Sequence, residues 1–257
     1  MKNLWKEKIL RGEKTMGLFL NAGDASTAEL AAMSNMDYAI IDTEHGPFDV
    51  ESAADMIRSF ELHNSTALVR VKDSQRNSIL KMLDIGAKGL IIPQVHSVEQ
   101  VREIVSYGKY YPVGDRGFAF GRGAGYGSAE HAKLGMTGYM EVCNRECLLI
   151  PQCETVGALE HIEEITKIEG IDGIFIGPFD LSIAMGIPGQ FGQPEFQEAL
   201  RRVKAACDAA GKFCMIFCGD SAVAKARLME GFSHITVSCD YAYYLNALNA
   251  AVTDVLH

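Results

Sequence analysis

Two acidic side chains, Glu154 and Asp180, are the residues of this sequence best suited to bind a hard cation. Each follows a short apolar run, LLIPQC before Glu154 and GIFIGPF before Asp180. If these runs are adjacent strands of a parallel barrel, their carboxyl ends meet and the two carboxylates approach one another. Oxygen ligands of this kind suit Mg²⁺, Mn²⁺ or Co²⁺ better than a thiolate-bound zinc. The competing interpretation is that both carboxylates only cap helices.

Other apolar runs also end in polar side chains, and two of these suit acid–base or electrostatic catalysis. His45 follows the run YAIID, and Arg70 ends the run ALVR. A histidine with an ordinary pKa near 6.5 suits proton transfer around neutrality, whereas an arginine suits the stabilisation of an anion. Taken singly, His45 is equally well explained as a surface histidine, and Arg70 as an ion-pair partner of Glu44.

The elements that must position these residues are eight short apolar runs with helix-like segments between them. Runs that are apolar at nearly every position are typical of strands buried on both faces, and alternation with helices indicates parallel βαβ units. Eight units predict an α/β fold, a closed (β/α)8 TIM barrel in a single domain of residues 1–257. A doubly wound open sheet is the alternative, but the turn NAGDAST after the first run lacks a phosphate-binding glycine loop. The runs are MGLFL, YAIID, ALVRV, GLIIP, LLIPQ, GIFIG, CMIF and HITVS.

One connection, between GLIIP and LLIPQ, is much longer than the others. Its segment 116–127, RGFAFGRGAGYG, imitates a dinucleotide-binding motif, but no strand precedes it. Because long connections are usually functional, the segment is predicted to be a mobile flap.

Composition restricts the partners of the chain. Hydrophobic residues make up 48% and charged residues 22%, which predicts a globular chain without a disordered tract. The net charge of -9 and the lack of a basic run argue against binding nucleic acid. An anionic substrate is compatible with this charge only if a metal ion or a well-placed arginine supplies local positive charge.

Neither export nor membrane insertion is indicated. The N-terminal segment MKNLWKEKILRGEK scatters charges among its apolar residues, and no apolar stretch reaches the roughly 18 residues that span a bilayer. A cytoplasmic protein with no membrane partner is therefore expected. An odd number of cysteines without a C-x-x-C pair predicts reduced, buried thiols. They are Cys143, Cys147, Cys153, Cys207, Cys214, Cys218 and Cys239.

Five segments together resemble successive signatures of the HpcH/HpaI aldolases, in the family's order and over most of the chain. The resemblance implies a class II, divalent-metal-dependent aldolase that interconverts a 4-hydroxy-2-oxo acid with pyruvate and an aldehyde through a metal-bound enolate. It also implies a homo-oligomer, a hexamer with exchanged C-terminal helices, with which the apolar end YAYYLNALNAAVTDVL is compatible. The segments are IIDTEHGPFD, ALVRV, LDIGAKGLIIPQVHS, IPQCETVGALE and GIDGIFIGPFDLSIAMG.

The same resemblance assigns catalytic roles. Glu154 and Asp180 match the metal ligands of the family. His45 matches its proton-transfer residue, Arg70 the residue that stabilises charge on the enolate, and Asp84 a partner that orients the histidine as a dyad.

Substrate contacts are expected from Gln152, which would orient the bound 2-oxo acid, and from Asp180, Phe179 and Phe19. Phe179 and Phe19 differ from the residues of some relatives, so the resemblance does not carry over the acceptor preference. Succinic and tartronic semialdehydes are the aldehydes that the family suggests.

Three alternatives remain open at this point. Lys72 follows Arg70 by two residues and would suit a Schiff-base aldolase, a mechanism that requires a desolvated lysine. A CoA ester is a second possible substrate, as in citramalyl- and malyl-CoA lyases, although this chain is short for it. A non-catalytic binding barrel is the third, and it leaves the metal, histidine and arginine motifs without a common explanation.

Overall fold

The eight predicted strands all form, and they close one parallel barrel. The computed structural model describes residues 1–256, and each strand pairs with the next along the chain until the last pairs with the first. The predicted (β/α)8 barrel is therefore confirmed, and the open-sheet alternative is wrong. The strands are β1 Thr15–Leu20, β2 Tyr38–Asp42, β3 Thr66–Arg70, β4 Gly89–Ile92, β5 Leu148–Cys153, β6 Gly173–Ile176, β7 Phe213–Cys218 and β8 His234–Cys239.

Helices surround the barrel and fill the connections between strands. Several begin at side chains that cap the free backbone N–H groups of the first turn; Asp24 and Asp220 do so for the helices after β1 and β7. The helices are α1 Leu4–Leu10, α2 Ala25–Met33, α3 Val50–Leu62, α4 Arg76–Asp84, α5 Val98–Gly108, α6 Gly135–Glu146, α7 Val156–Glu160, α8 Ile162–Ile165, α9 Pro178–Ala184, α10 Pro194–Ala209, α11 Ser221–Met229 and α12 Asp240–Leu256.

The strands are buried on both faces, as their continuous apolar runs predict. Successive side chains of a strand point to opposite faces, so Ile40 and Leu68 fill the barrel interior while Ile41 and Val69 pack outward against the helices. All four side chains are fully buried. The result is a rigid cylinder whose strand ends hold the side chains that follow them in fixed positions.

Trp5 of α1 closes the amino end of the barrel. Its indole is fully buried, donates a hydrogen bond to Oγ1 of Thr15 at 2.9 Å, and lies against the ring of Tyr38 at 4.6 Å between centroids. This end of the barrel is therefore sealed, which leaves the carboxyl ends of the strands as the open mouth.

The long connection between α5 and β5 lies at the sealed end. Arg122 donates a hydrogen bond to the carbonyl of Ile85 at 2.7 Å and forms an ion pair with Glu61. Ile85 directly follows α4 and Glu61 lies in the last turn of α3, and both helices run from the mouth toward the sealed end. Segment 116–127 therefore packs at the sealed end of its own barrel, away from the mouth, and its mobility stays a prediction. Because α5 ends and β5 begins at the amino end of the barrel, the chain that connects them stays at that end.

The C-terminal helix α12 buries none of its residues against its own barrel. Its apolar side chains are open to solvent, among them Leu245 at 53% and Val255 at 78% exposure. None of the helices within residues 1–256 combines the length and apolar character needed to cross a membrane.

Candidate active site

A cavity of about 220 Å³ opens at the carboxyl ends of the strands. It receives His45 from the β2–α3 connection, Arg70 from the end of β3, Gln152 from β5 and Asp180 from α9. These residues come from four separate parts of the sequence, and only closure of the barrel brings them together. The structure therefore brings these four predicted residues together at one cavity, while their catalytic and binding roles stay predictions.

Arg70 is held by a buried carboxylate. Its Nε donates to Oδ1 of Asp42 at 2.8 Å and its Nη2 to Oδ2 at 2.6 Å, while the Asp42 side chain is fully buried. Burial alone would raise the pKa of Asp42, but the hydrogen bonds and charge of Arg70 outweigh it and lower that pKa. A bidentate pair of this kind fixes the plane of the guanidinium.

The remaining nitrogen of the Arg70 guanidinium faces the cavity side. Nη1 lies 3.3 Å from Oε2 of Glu44, and the guanidinium carbon lies 4.7 Å above the ring of Phe19. Arg70 is thus held by Asp42, Glu44 and the ring of Phe19, and it lines the cavity.

Glu154 is buried next to Gln152 and Gly177, which line the cavity, and it is strongly held. Its Oε1 accepts from the backbone N–H of Gln94 at 2.8 Å and from the Gln94 amide at 3.3 Å, and its Oε2 accepts from the amide of Gln152. Gln94 adopts a positive φ of 51°, an unfavourable conformation for a residue other than glycine, and so directs both its donors at one oxygen.

Negative charge accumulates around Glu154. Burial raises the pKa of Glu154 to about 7, with the charges of Glu44 and Asp180 adding to the effect. Burial likewise raises the pKa of Glu44 to about 6, against the lowering influence of Arg70. One guanidinium therefore does not neutralise the carboxylates of this site.

These carboxylates fit a divalent cation. Glu154 and Asp180 offer hard oxygen donors, and Oε1 of Gln152, whose amide nitrogen contacts Glu154, is buried without a hydrogen-bond partner. Gly177 leaves room here, because a Cβ at that position would lie 2.8 Å from Oε2 of Glu154. Within residues 1–256 no three His, Cys, Asp or Glu side chains form a ready-made metal cluster. The site consequently fits a cation held by two protein carboxylates and completed by water or substrate.

His45 lies at the cavity mouth, where its side chain is 66% exposed. Its Nε2 is 3.9 Å from Oε2 of Glu44, which is the carboxylate nearest to it in this structure. An exposed imidazole at the rim can exchange protons with water and with a bound substrate.

Asp84 does not reach His45 in this chain, contrary to the dyad expected from the sequence. It is the last residue of α4, and nine helical residues carry the chain about 13 Å from the mouth toward the sealed end. There it accepts a hydrogen bond at 2.8 Å from Arg116, whose side chain is almost wholly buried. Within one chain Asp84 is thus the ion-pair partner of Arg116, and its pairing with His45 stays a prediction.

An aromatic wall forms one side of the cavity. Phe19 lies 5.9 Å from Phe175 and 5.8 Å from Phe217, and Phe217 lies 5.8 Å from Phe179, measured between ring centroids. Phe19 and Phe179 were expected at the site and are found there. Phe217, the second-last residue of β7, was missed because every residue of its run CMIF is apolar, as in strands whose side chains are all in the core.

Two other residues of the predicted chemistry lie outside this cavity. Lys72 is exposed and lines a separate cavity with Lys81 and Asp49, so it lacks the desolvation that a Schiff-base lysine needs. Cys153, at the end of β5, is buried, and burial raises the pKa of its thiol well above the usual range. All seven cysteines are free, as predicted.

Sequence reasoning also missed Asn21 and Tyr241, which line the cavity. Asn21 is the first residue after β1, and Tyr241 is the second of α12. The rule that polar residues just past a strand belong to the site would have found Asn21, had it been applied to the first strand as well as to the others.

Comparison with known proteins agrees with this geometry. The HpcH/HpaI aldolase/citrate lyase family model matches residues 15–247. A 2-keto-3-deoxy-L-rhamnonate aldolase of Klebsiella pneumoniae is 36% identical over 255 residues, covering 97% of this chain and 91% of that protein. The crystal structure of a family protein from Burkholderia cenocepacia superposes with a TM-score of 0.92 at 30% identity, covering all of both chains. An aldolase structure from Desulfitobacterium hafniense gives 0.90 at 28% identity, covering 99% of this chain and 97% of the other.

Proposed function

We propose that this chain, which belongs to the HpcH/HpaI aldolase/citrate lyase family, cleaves a 2-keto-3-deoxy sugar acid of the L-rhamnonate type. It is a class II pyruvate aldolase, a divalent-metal-dependent carbon–carbon lyase. Retro-aldol cleavage of such an acid between C3 and C4 yields pyruvate and a three-carbon hydroxyaldehyde without charge. This proposal selects one class of acceptor from those that the family uses.

The charge of the cavity lining carries the proposal. Arg70 is the only lysine or arginine among the described residues that line it, and it is already paired with Asp42. A semialdehyde with its own carboxylate would have to place a second negative charge against the wall that contains Phe179 and Phe217. An unpaired charge beside apolar rings is costly, whereas an uncharged chain with a terminal methyl group is compatible with them.

The residues divide the chemistry of the 2-oxo acid end between them. A cation bound by Glu154 and Asp180 would withdraw electrons from the keto group and make the adjacent CH₂ or CH₃ protons acidic. Arg70 is placed to stabilise the negative charge that develops on the keto oxygen as the enolate forms. Gln152 was expected to orient the acid, but its amide nitrogen is committed to Glu154. We assign it the positioning of that carboxylate.

His45 is proposed to move the proton of the 4-hydroxyl group. In the cleavage direction it accepts this proton, directly or through one water, and in the condensation direction it returns the proton to the new alkoxide. Glu44, at 3.9 Å, is the group placed to orient the imidazole within this chain.

A substrate panel tests the proposed acceptor class. We expect kcat/KM for 2-keto-3-deoxy-L-rhamnonate to exceed that for 4-hydroxy-2-oxoheptanedioate, whose aldehyde product carries a carboxylate, by about 10-fold or more. Pyruvate release, followed with a coupled lactate dehydrogenase assay at fixed Mg²⁺, measures both. A preference for the diacid would contradict the proposal while leaving the aldolase reaction itself intact.

We further propose that the chain works as a homo-oligomer, a hexamer with exchanged C-terminal helices. The outer face of β1 supports this, since Met16 is 43% exposed where a barrel helix would normally cover it, and α12 leaves its own barrel uncovered. A second copy's α12 supplies the missing apolar surface. Sedimentation equilibrium of the full chain at micromolar concentration should give a multiple of the 28.1 kDa mass, and a monomer would contradict the exchange.

A further inference from the structure

The loop after β1 is tied to the first residue of α12 by a single carboxylate. Oδ1 of Asp240 accepts from the backbone N–H of Asn21 at 3.0 Å, and Oδ2 accepts from those of Ala22 at 3.2 Å and Gly23 at 2.9 Å. The backbone N–H of Tyr241 also donates to Oδ1, at 2.8 Å. Four donors satisfy this carboxylate, and three of them belong to a loop more than 200 residues away in the sequence.

These hydrogen bonds of the Asp240 carboxylate to residues 21–23, called the Asp240 clamp below, lie where the pairing between β1 and β8 is irregular. Their register shifts between Gly17 and Phe19, and Ser238 adopts a positive φ of 58° just before β8 ends. Regular pairing therefore holds the end of β1 on its β2 side but not on its β8 side. The Asp240 carboxylate is what attaches the following loop to the end of β8.

The side chain of Asn21 continues the connection to the catalytic arginine. Its Nδ2 donates to Oδ2 of Asp42, and because a carboxylate only accepts hydrogen bonds, the amide orientation is settled by this partner. The other donor to Oδ2 is Nη2 of Arg70, whereas Oδ1 is served by the backbone of Glu44 and His45 and by Nε of Arg70. Asn21 thus helps to orient the Asp42 carboxylate, which in turn orients the guanidinium of Arg70.

We infer that Asn21 and Asp240 are positioning residues that hold Arg70, through Asp42, in the orientation needed to stabilise the enolate. Neither acts on the reacting atoms. Their effect depends on Arg70, so the inference rests on the proposed role of that residue. It also joins α12, which buries nothing against its own barrel, to the catalytic centre through its first residue.

Asn21→Ala and Asp240→Asn in the full chain test the inference. Each should lower kcat for aldol cleavage by about 10-fold to 100-fold with a much smaller change in KM, because a misplaced donor weakens transition-state stabilisation more than ground-state binding. Asn21→Ala removes the donor without altering α12, so it remains informative if Asp240→Asn disturbs assembly.

Asp24→Asn is the matched control. Asp24 lies in the same connection and accepts from the backbone N–H groups of Ser26 and Thr27, but it caps only α2 and makes no contact with Asp42. It should change thermal stability little, because asparagine caps a helix about as well as aspartate, and it should leave kcat within about twofold of wild type.

A double-mutant cycle separates positioning from general loosening of the fold. In an Arg70→Lys background, where the bidentate grip on Asp42 is already lost, Asn21→Ala should change kcat by less than about twofold. The same fold-loss in both backgrounds, or a kcat for Asn21→Ala that matches Asp24→Asn, would overturn the inference. An Arg70→Lys enzyme as active as wild type would instead refute the proposed role of Arg70 itself.

Discussion

Arg70→Ala should lower the rate of aldol cleavage by about 10²-fold to 10³-fold, and it should lower the exchange of pyruvate methyl protons with solvent by a similar factor. Both reactions pass through the same enolate, and Arg70 is the only arginine or lysine that lines the cavity among the described residues. Its donors stabilise charge that is absent from the bound ground state, so the loss should appear mainly in kcat. Proton NMR of pyruvate in D₂O measures exchange, and a coupled assay measures cleavage.

His45→Ala supplies the contrast that makes the Arg70 result specific. If His45 transfers only the 4-hydroxyl proton, cleavage should fall by about 10²-fold or more while methyl exchange survives in part, with water replacing the base. Equal losses of exchange and cleavage in His45→Ala, with metal affinity unchanged, would show that His45 also deprotonates pyruvate. Full exchange activity in Arg70→Ala would remove Arg70 from the mechanism.

Removal of divalent metal should abolish activity, and Mg²⁺, Mn²⁺ or Co²⁺ should restore it. Without a cation, Arg70 alone faces the carboxylates of Glu154, Asp180 and Glu44, and nothing remains to activate the keto group. Asp180→Asn should weaken metal affinity, measured by titration calorimetry, while leaving the folded structure intact. Unchanged activity after exhaustive chelation would refute the metal-dependent mechanism, and unfolding of Asp180→Asn would favour the capping interpretation of that residue.

The metal prediction has a pH dependence with a definite sign. Since burial raises the pKa of Glu154 to about 7, protons compete with the cation below that pH, and metal affinity should rise as the pH increases from 6 to 8. Without metal, the raised pKa means that folding becomes less favourable as pH rises from the ordinary glutamate range through 7. Glu154→Gln should therefore stabilise the metal-free protein at pH 8 more than at pH 5, while abolishing the stabilisation by metal. Thermal unfolding at the two pH values, with and without Mg²⁺, measures both effects.

Much of the site was predictable because strand ends are local features of a sequence. His45, Arg70, Gln152, Glu154 and Asp180 each follow or end an apolar run, and in a parallel barrel every such position faces the same mouth. The order of the runs along the chain matches their order around the barrel. Residue type and distance from a strand were thus sufficient to bring these five together.

Asp84 shows that strand-end reasoning does not extend to a residue at the far end of a helix. Its motif suggested a partner for His45, but the direction of α4 carries it to the sealed end, where it pairs with Arg116. The position of the glycine-rich segment has the same cause, since the direction of α5 decides the end of the barrel at which the following connection lies. A sequence motif shows which residue types are present, whereas the direction of a helix decides at which end of the barrel its last residues lie.

The sequence by itself determined the barrel, its eight strands and the set of chemical groups at its mouth. Both the apolar run that forms a strand and the polar residue that follows it can be recognised within one short segment of sequence. Only the tertiary structure decided how those groups are held. The Asp42 carboxylate that orients Arg70 and the Asn21 amide that supports Asp42 depend on β1, β2 and β3 lying side by side, and the Asp240 clamp depends on β8 closing against β1. These hydrogen bonds join residues that are between 21 and 219 positions apart, and no pattern within a single segment encodes contacts that form only when the strands pair.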